Sequence, residues 1–134
     1  MKAEALSQKD NPDFAAAEDL INQIRERALM NPLSLPDDPI AFEDAILRER
    51  AKEFAYEGKR WFDLVRMGRR NNNLRKDKLI KIIIEDVAST QKLVLASKLT
   101  DPYGWYLPIH YDEMEDNENL QQNPYYEVYQ RDKY

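Results

Sequence analysis

Residues 47–69 read LRERAKEFAYEGKRWFDLVRMGR, and the fold turns on this stretch. Its period is helical, yet charges stand where a core-facing helix usually keeps apolar groups. Glu49, Glu53 and Glu57 are spaced four apart and share a face, Arg50 lies beside it, and Gly58 interrupts the run. A second helical segment places Arg60, Asp63 and Arg66 three apart. Like charges in one column repel by roughly 0.2–0.5 kcal/mol per pair, so an isolated helix gains nothing from them. The pattern predicts two packed helices, with the arginines of the second folding back across the glutamates of the first. Desolvation offsets most of the attraction in such a network, so its expected role is to set the angle between the helices through directional bonds.

The flanking sequence extends the helical reading. Residues 2–9 form a short amphipathic pattern with Ala3, Leu6 and Ala5 as inward candidates. Asp10-Asn11-Pro12 is a stop and restart, in which Asn11 suits an N-cap and Pro12 a first helical position. From Asp13 to about Met30, Phe14, Ala17, Leu20 or Ile21, Ile24 and Ala28 keep the 3.6 period. Two antiparallel helices with small residues at their contact predict a tetratricopeptide-like hairpin over 1–30, a unit that needs neighbours to bury its face. Residues 31–39 are a proline-rich loop. Asp38-Pro39 repeats the start signal for a helix reaching about Glu57, whose apolar face is Leu47, Ala51, Phe54 and Ala55. The next segment buries Trp61 or Phe62 with Leu64 and Val65, and Gly68 reads as its C-cap.

Asn71 to Asn73 read as a polar loop. Residues 76–99 are β-branched enough for a strand, but no second strand is available to pair with them. Helices broken near Ser89-Thr90 are therefore expected, with Leu79, Ile83, Leu93, Leu95 and Leu99 inward. From Thr100 proline, aromatic residues and asparagine displace any period, and Asp112 is a candidate cap for one helical turn. A segment this apolar in patches is expected to pack over the helices and insert Trp105, Leu107, Ile109, Leu120 and Tyr125 or Tyr126. The expected architecture is all-α: a hairpin over 1–30, a helix pair over 40–69, helices over 76–99 and an irregular tail over 100–134.

Composition narrows the function. A net charge of −5 with no long basic run gives no electrostatic reason to bind nucleic acid, and there is no cysteine. No apolar run approaches the roughly 20 residues of a membrane span. The glutamate column could hold a metal in a bundle, but such sites pair glutamates with histidines from facing helices, and the one histidine, His110, stands in the tail. A structural charge network outweighs that reading. His110 has no nominated acid or nucleophile partner and reads as a turn residue. The acidic run Asp112–Glu118 lacks the glycine and closing glutamate of a calcium loop. The single glycines Gly58, Gly68 and Gly104 build no phosphate cradle. Tyr103, Trp105, Tyr106 and Tyr111 could stack on a sugar, but burial is the stronger reading for alternating aromatic and aliphatic residues.

ILRERAKEFAYEGKRWFDLVRMGR (46–69) resembles the signature of the SusD/RagB family, and WYLPIHYDEMEDNENLQQNPYY (105–126) resembles the same family's C-terminal signature. MKAEAL and FAAAEDLINQIRERA precede them as a hairpin. The resemblance covers nearly the whole chain. It implies an α-helical, tetratricopeptide-scaffolded, non-catalytic lipoprotein of the Bacteroidetes outer membrane. Such proteins bind glycans or other nutrients at the cell surface and hand them to a SusC-like TonB-dependent transporter. No cofactor is implied. Family members are longer and carry a signal peptide and a lipid-bearing cysteine, so the resemblance is to the C-terminal part and the lipid anchor is absent from this chain. The motif positions are Glu49, Arg50, Glu53, Glu57, Gly58, Arg60, Asp63, Arg66 and Gly68, then Leu107, Pro108, Ile109, Gln122, Asn123 and Pro124. They read as shared architecture, not ligand contacts. Tyr103 and Trp105 are the candidates for the glycan. A tetratricopeptide-like protein-interaction scaffold without a small-molecule ligand is the alternative.

Overall fold

The computed structural model describes residues 1–129. Among them there are seven α-helices, two short 3-10 turns and no strand: α1 (Lys2–Gln8), α2 (Phe14–Arg27), α3 (Pro39–Glu53), α4 (Arg60–Asn73), α5 (Lys76–Ile84), α6 (Ser89–Lys98) and α7 (Tyr111–Asp116). The expected all-α class holds. The chain forms two compact units, Met1–Leu64 and Val65–Tyr134. The tail beyond residue 129 lies outside the described residues.

In the first unit α1 and α2 form the antiparallel hairpin, and α3 lies against both. The start of α2 differs from expectation: Asp13, not Asn11, caps it, accepting the Ala16 N–H at 3.1 Å. A carboxylate at that position also meets the positive end of the helix dipole, while the Asp13 N–H is donated back to the Leu6 carbonyl at 3.0 Å. Ala17, Ile21, Phe42 and Ile46 are the core, flanked by Ala3, Leu6, Phe14, Leu33 and Leu35. The Phe14 and Phe42 rings stack at 5.1 Å. The expected inward stripe is too long at its C-terminal end, since Ile24 is 38% exposed and Ala28 is exposed; Ala5 also faces out. The loop before α3 is ordered by α2, where the Asn22 side chain pairs with both backbone groups of Leu33 at 2.8 and 2.9 Å. Asp38 caps α3 through the Ala41 N–H at 2.8 Å, with Pro39 in the first turn as read from the sequence.

Helix α3 stops at Glu53, one turn short of the expected Glu57. Phe54 closes it, and Tyr56 and Gly58 then take positive φ of 66° and 70° to reverse the chain. Phe54 is held between two cations, the Arg50 guanidinium 4.8 Å and the Lys59 ammonium 4.4 Å from its ring centroid. In α4, Leu64, Val65 and Met67 are buried and Trp61 is partly buried, whereas Phe62 is 69% exposed.

In the second unit Gly68 is not a C-cap. It is buried within α4, where an added Cβ would stand 2.8 Å from Leu79 Cδ1 and 3.1 Å from the Trp105 ring. The helix is ended instead by the asparagines, with Asn71, Asn72 and Asn73 all at positive φ. Helices α5 and α6 occupy 76–98 with the break at 85–88, so the helical alternative to a strand holds. Leu79 and Leu99 are buried, but Leu93 is 84% exposed and not inward. The tail closes over this core through Trp105, 3% exposed, whose indole N–H is donated to the Leu99 carbonyl at 2.9 Å. Ile109 and Leu120 are partly buried, while Leu107 is 87% exposed and fills nothing. Helix α7 begins at Tyr111, and its N-cap is His110, two residues before the expected Asp112.

Candidate ligand-binding site

The glutamate column of the sequence comes apart in three dimensions. Glu49 is buried and faces α2, where Arg25 Nη1 is donated to its Oε1 at 2.6 Å, and Lys52 Nζ reaches the same oxygen at 3.1 Å. Arg25 Nε is donated to the Asn31 carbonyl at 2.7 Å, so this arginine ties α2, α3 and the intervening loop. Glu53 pairs with Arg27, also of α2, at 2.5 Å in a more exposed setting. Glu57 has left the helix and pairs with Lys59, two residues on.

The expected fold-back of Arg60 across these glutamates is corrected. One cation that crosses between α3 and α4 is Arg50, which donates from Nε to Asp63 Oδ2 at 2.8 Å, so here the carboxylate belongs to the second segment. Arg60 reaches back to a backbone group, the Leu47 carbonyl at 2.9 Å. Arg66 is partly buried in α4. Three differently engaged glutamates do not form a common ligand set, and no group of three or more His, Cys, Asp or Glu among the described residues could hold a metal ion. Arg25 was absent from the sequence reading. Its signal was present: Ala17, Ile21 and Arg25 are four apart, so a charge continues the buried stripe and demands a buried partner.

The second signature organises the tail. Gln122, 7% exposed, pairs its side-chain amide with both backbone groups of Ile109 at 2.9 Å, as a neighbouring strand would. Asn123 Nδ2 is donated to the Tyr103 carbonyl at 2.9 Å and approaches that of Tyr106 at 3.4 Å. One amide thus clamps the two ends of a four-residue turn that carries two tyrosines. Asp101 fixes the near side of the turn by accepting the Tyr103 N–H at 2.9 Å.

Over this turn lies an open depression of about 540 Å³ whose lining includes Arg69, Tyr103, Tyr106, Leu107, Gln121 and Asn123. Tyr103 and Tyr106 are 52% and 46% exposed, and the Arg69 guanidinium stands 5.7 Å from the Tyr106 ring centroid. Rings held at fixed backbone positions beside a guanidinium and a primary amide offer flat apolar faces with polar rims. Of the two candidates from the sequence, Tyr103 lies in this depression. Trp105 does not: its ring is buried and its N–H is already satisfied, so no face remains for a ligand. The alternative role weighed for that tryptophan, packing, is the one it has. Tyr106, Arg69 and Gln121 replace it. His110 is exposed, accepts the Asp112 N–H at 3.4 Å and belongs to no cluster.

The model of the SusD family matches residues 1–126, which takes in the hairpin and both signatures. The chain belongs to the SusD family. A curated relative, SusD-like protein P38 of Formosa agariphila, is 40% identical over a 94-residue alignment covering 60% of this chain and 18% of the relative. The chain therefore spans about a fifth of that relative's length. No solved structure matches it. Among the described residues no helix is long and apolar enough to cross a membrane.

Proposed function

We propose that this chain is the C-terminal part of a SusD-like surface protein that captures an extracellular nutrient, an oligosaccharide, without cleaving it. The protein acts at the outer membrane and delivers its ligand to a SusC-like TonB-dependent transporter. The observation that carries the reading is family membership across 126 of the chain's 134 residues. The depression over the 103–106 turn supports it with a suitable chemistry. Tyr103 and Tyr106 present faces to sugar rings, while Arg69 and Gln121 supply donors to hydroxyls at the rim. The turn is fixed before a ligand arrives, so little ordering entropy opposes binding.

Isothermal titration against a panel of oligosaccharides tests the capture reading, with Tyr103→Ala and Tyr106→Ala as site variants. Binding that each variant weakens by tenfold or more is the expected result. Loss of neither site's contribution, in a chain that does bind, moves the glycan elsewhere. An absence of binding to any glycan, together with tight binding to the purified transporter, overturns capture and leaves the protein-interaction scaffold.

A further inference from the structure

Charge is distributed unevenly around the depression over the 103–106 turn. The whole chain carries a net charge of −5, and α7 alone contributes Asp112, Glu113, Glu115 and Asp116. None of these lines the depression, and among the described residues its lining holds one charged group, Arg69. The other lining side chains are neutral. Two of them are already engaged, Gln122 with the backbone of Ile109 and Asn123 with the Tyr103 and Tyr106 carbonyls. Arg69 is exposed on α4, next to the buried Gly68. Its guanidinium lies 5.7 Å from the Tyr106 ring centroid and makes no hydrogen bond or ion pair among the described residues. Arg25, Arg27, Arg50 and Arg60 each donate to a carboxylate or a carbonyl instead. A free arginine on a solvated helix face is ordinary. What sets Arg69 apart is the ring that holds it, because a guanidinium within about 6 Å of an aromatic centroid is attracted to the face. Five N–H donors in a planar fork thus stand beside two stacking surfaces with no anion to meet them.

We propose that the oligosaccharide taken by this depression is acidic, with a uronate residue whose carboxylate pairs with Arg69. The inference rests on the capture reading and adds the charge of the ligand to it. A uronate carries its carboxylate directly on a ring carbon. A pyranose lying against Tyr103 or Tyr106 therefore presents that group at the edge of the stack, where the guanidinium is held. Two carboxylate oxygens match two N–H groups of the fork, and both partners are charged, which makes these bonds stronger than those of a hydroxyl. The contact with Tyr106 restrains the guanidinium before a ligand arrives, so less side-chain freedom is lost on binding. No carboxylate in the lining competes for Arg69 or repels the ligand, and the local field favours an anion although the chain as a whole is acidic. A sulfate ester is the other anionic group that sugars carry, and it shares this chemistry.

Isothermal titration of the full chain compares uronate oligosaccharides (galacturonates, mannuronates and glucuronates) with their methyl esters, which keep the backbone and lose the charge. Sulfated galactan oligosaccharides and neutral glycans complete the panel. The best uronate binds about tenfold or more tighter than its own ester. Arg69→Gln brings that ratio below about twofold and, at an exposed position, leaves Tm within about 2 °C. Raising the ionic strength from about 0.01 to about 0.1 M shortens the screening length from about 30 to about 10 Å, so affinity for the uronate falls and affinity for the ester does not. Equal affinity for uronate and ester, or binding confined to neutral glycans, overturns the acidic ligand and leaves capture standing. A uronate preference that survives Arg69→Gln overturns the role of Arg69. Tighter binding of the sulfated galactan, lost in Arg69→Gln, overturns the uronate in favour of a sulfate. Absence of binding to every glycan overturns capture itself, and this inference with it.

Discussion

Replacing Glu49 by leucine tests whether the first unit is held by a buried pair or by solvated charges. The Arg25 and Glu49 side chains are 10% and 9% exposed and 2.6 Å apart. Removing one partner from such a pair costs about 3–5 kcal/mol, because the other charge stays buried without compensation. Arg25 keeps its bond to the Asn31 carbonyl, which places Glu49→Leu at the lower end, about 3 kcal/mol. Arg25→Met costs about 2 kcal/mol, since Lys52 remains beside Glu49 and is half-exposed to water. Replacing both removes the desolvation penalty with the attraction, and Asn31, which is exposed, takes water in place of the arginine. The double variant is expected within about 1 kcal/mol of the parent, giving a coupling of at least about 4 kcal/mol. Urea unfolding followed by far-UV circular dichroism reads this directly. With a slope of about 2 kcal/mol per molar, Glu49→Leu lowers the midpoint by about 1.5 M and the double variant by no more than about 0.5 M. The Arg27–Glu53 pair, 70% and 31% exposed, supplies the control, and Glu53→Leu should cost under about 1 kcal/mol. If Glu49→Leu costs no more than Glu53→Leu, or the two losses simply add, the buried-pair argument fails.

Arg60→Ala is expected to cost about 1.5–2 kcal/mol in the same assay, because the buried Leu47 carbonyl loses a charged donor; a loss under 0.5 kcal/mol would show that water replaces it. The two glycines of the signature fail for different reasons. Gly58→Ala costs about 1 kcal/mol from its φ of 70° alone, with nothing within 4 Å of the new Cβ, whereas Gly68→Ala costs about 1–3 kcal/mol from overpacking. Only Gly68→Ala should shift the Trp105 fluorescence, and the reverse pattern would refute the assignment. Asn123→Ala frees both ends of the 103–106 turn, so it should leave Tm within about 3 °C while weakening glycan binding tenfold or more; unchanged affinity would show that the clamp does not prearrange the tyrosines.

The parts of the fold that were legible in the sequence are those decided locally. Asp38-Pro39 starts α3 because a carboxylate cap and a fixed proline φ act within one turn. The helical alternative for 76–99 won because no partner strand exists among the described residues. What was misread was decided by distant residues. Gly68 resembles a C-cap on its own sequence, and only the arrival of Leu79 and Trp105 shows that it is there for close approach. Spacing alone put Glu57 in line with Glu49 and Glu53. The turn at 54–58, with Phe54 between two cations and two residues at positive φ, has no local stop signal before Gly58. Burial in the tail divided Trp105 from Tyr103 although they are two residues apart, because only the tryptophan meets the pocket beside Gly68.

The motifs that identify the family and the groups free to meet a ligand are different residues, for a physical reason. Glu49, Arg50, Asp63 and Arg60 form bonds within the first unit. Gln122 and Asn123 use their amides on the backbone of Ile109, Tyr103 and Tyr106. A side chain committed to an internal bond cannot turn to a sugar without leaving a buried polar group unpaired, which costs about 1–3 kcal/mol. Arg69, Tyr103, Tyr106 and Gln121 carry little of that internal load and line the depression. On the proposed reading, substitution among them is expected to change what is bound with little effect on folding, while substitution among the braces changes folding first. A panel of variants from both sets, scored for Tm and for glycan affinity, should separate along these two axes. A brace variant at any position other than Asn123, whose amide holds the turn that carries the two tyrosines, that lost affinity at full stability would break the division.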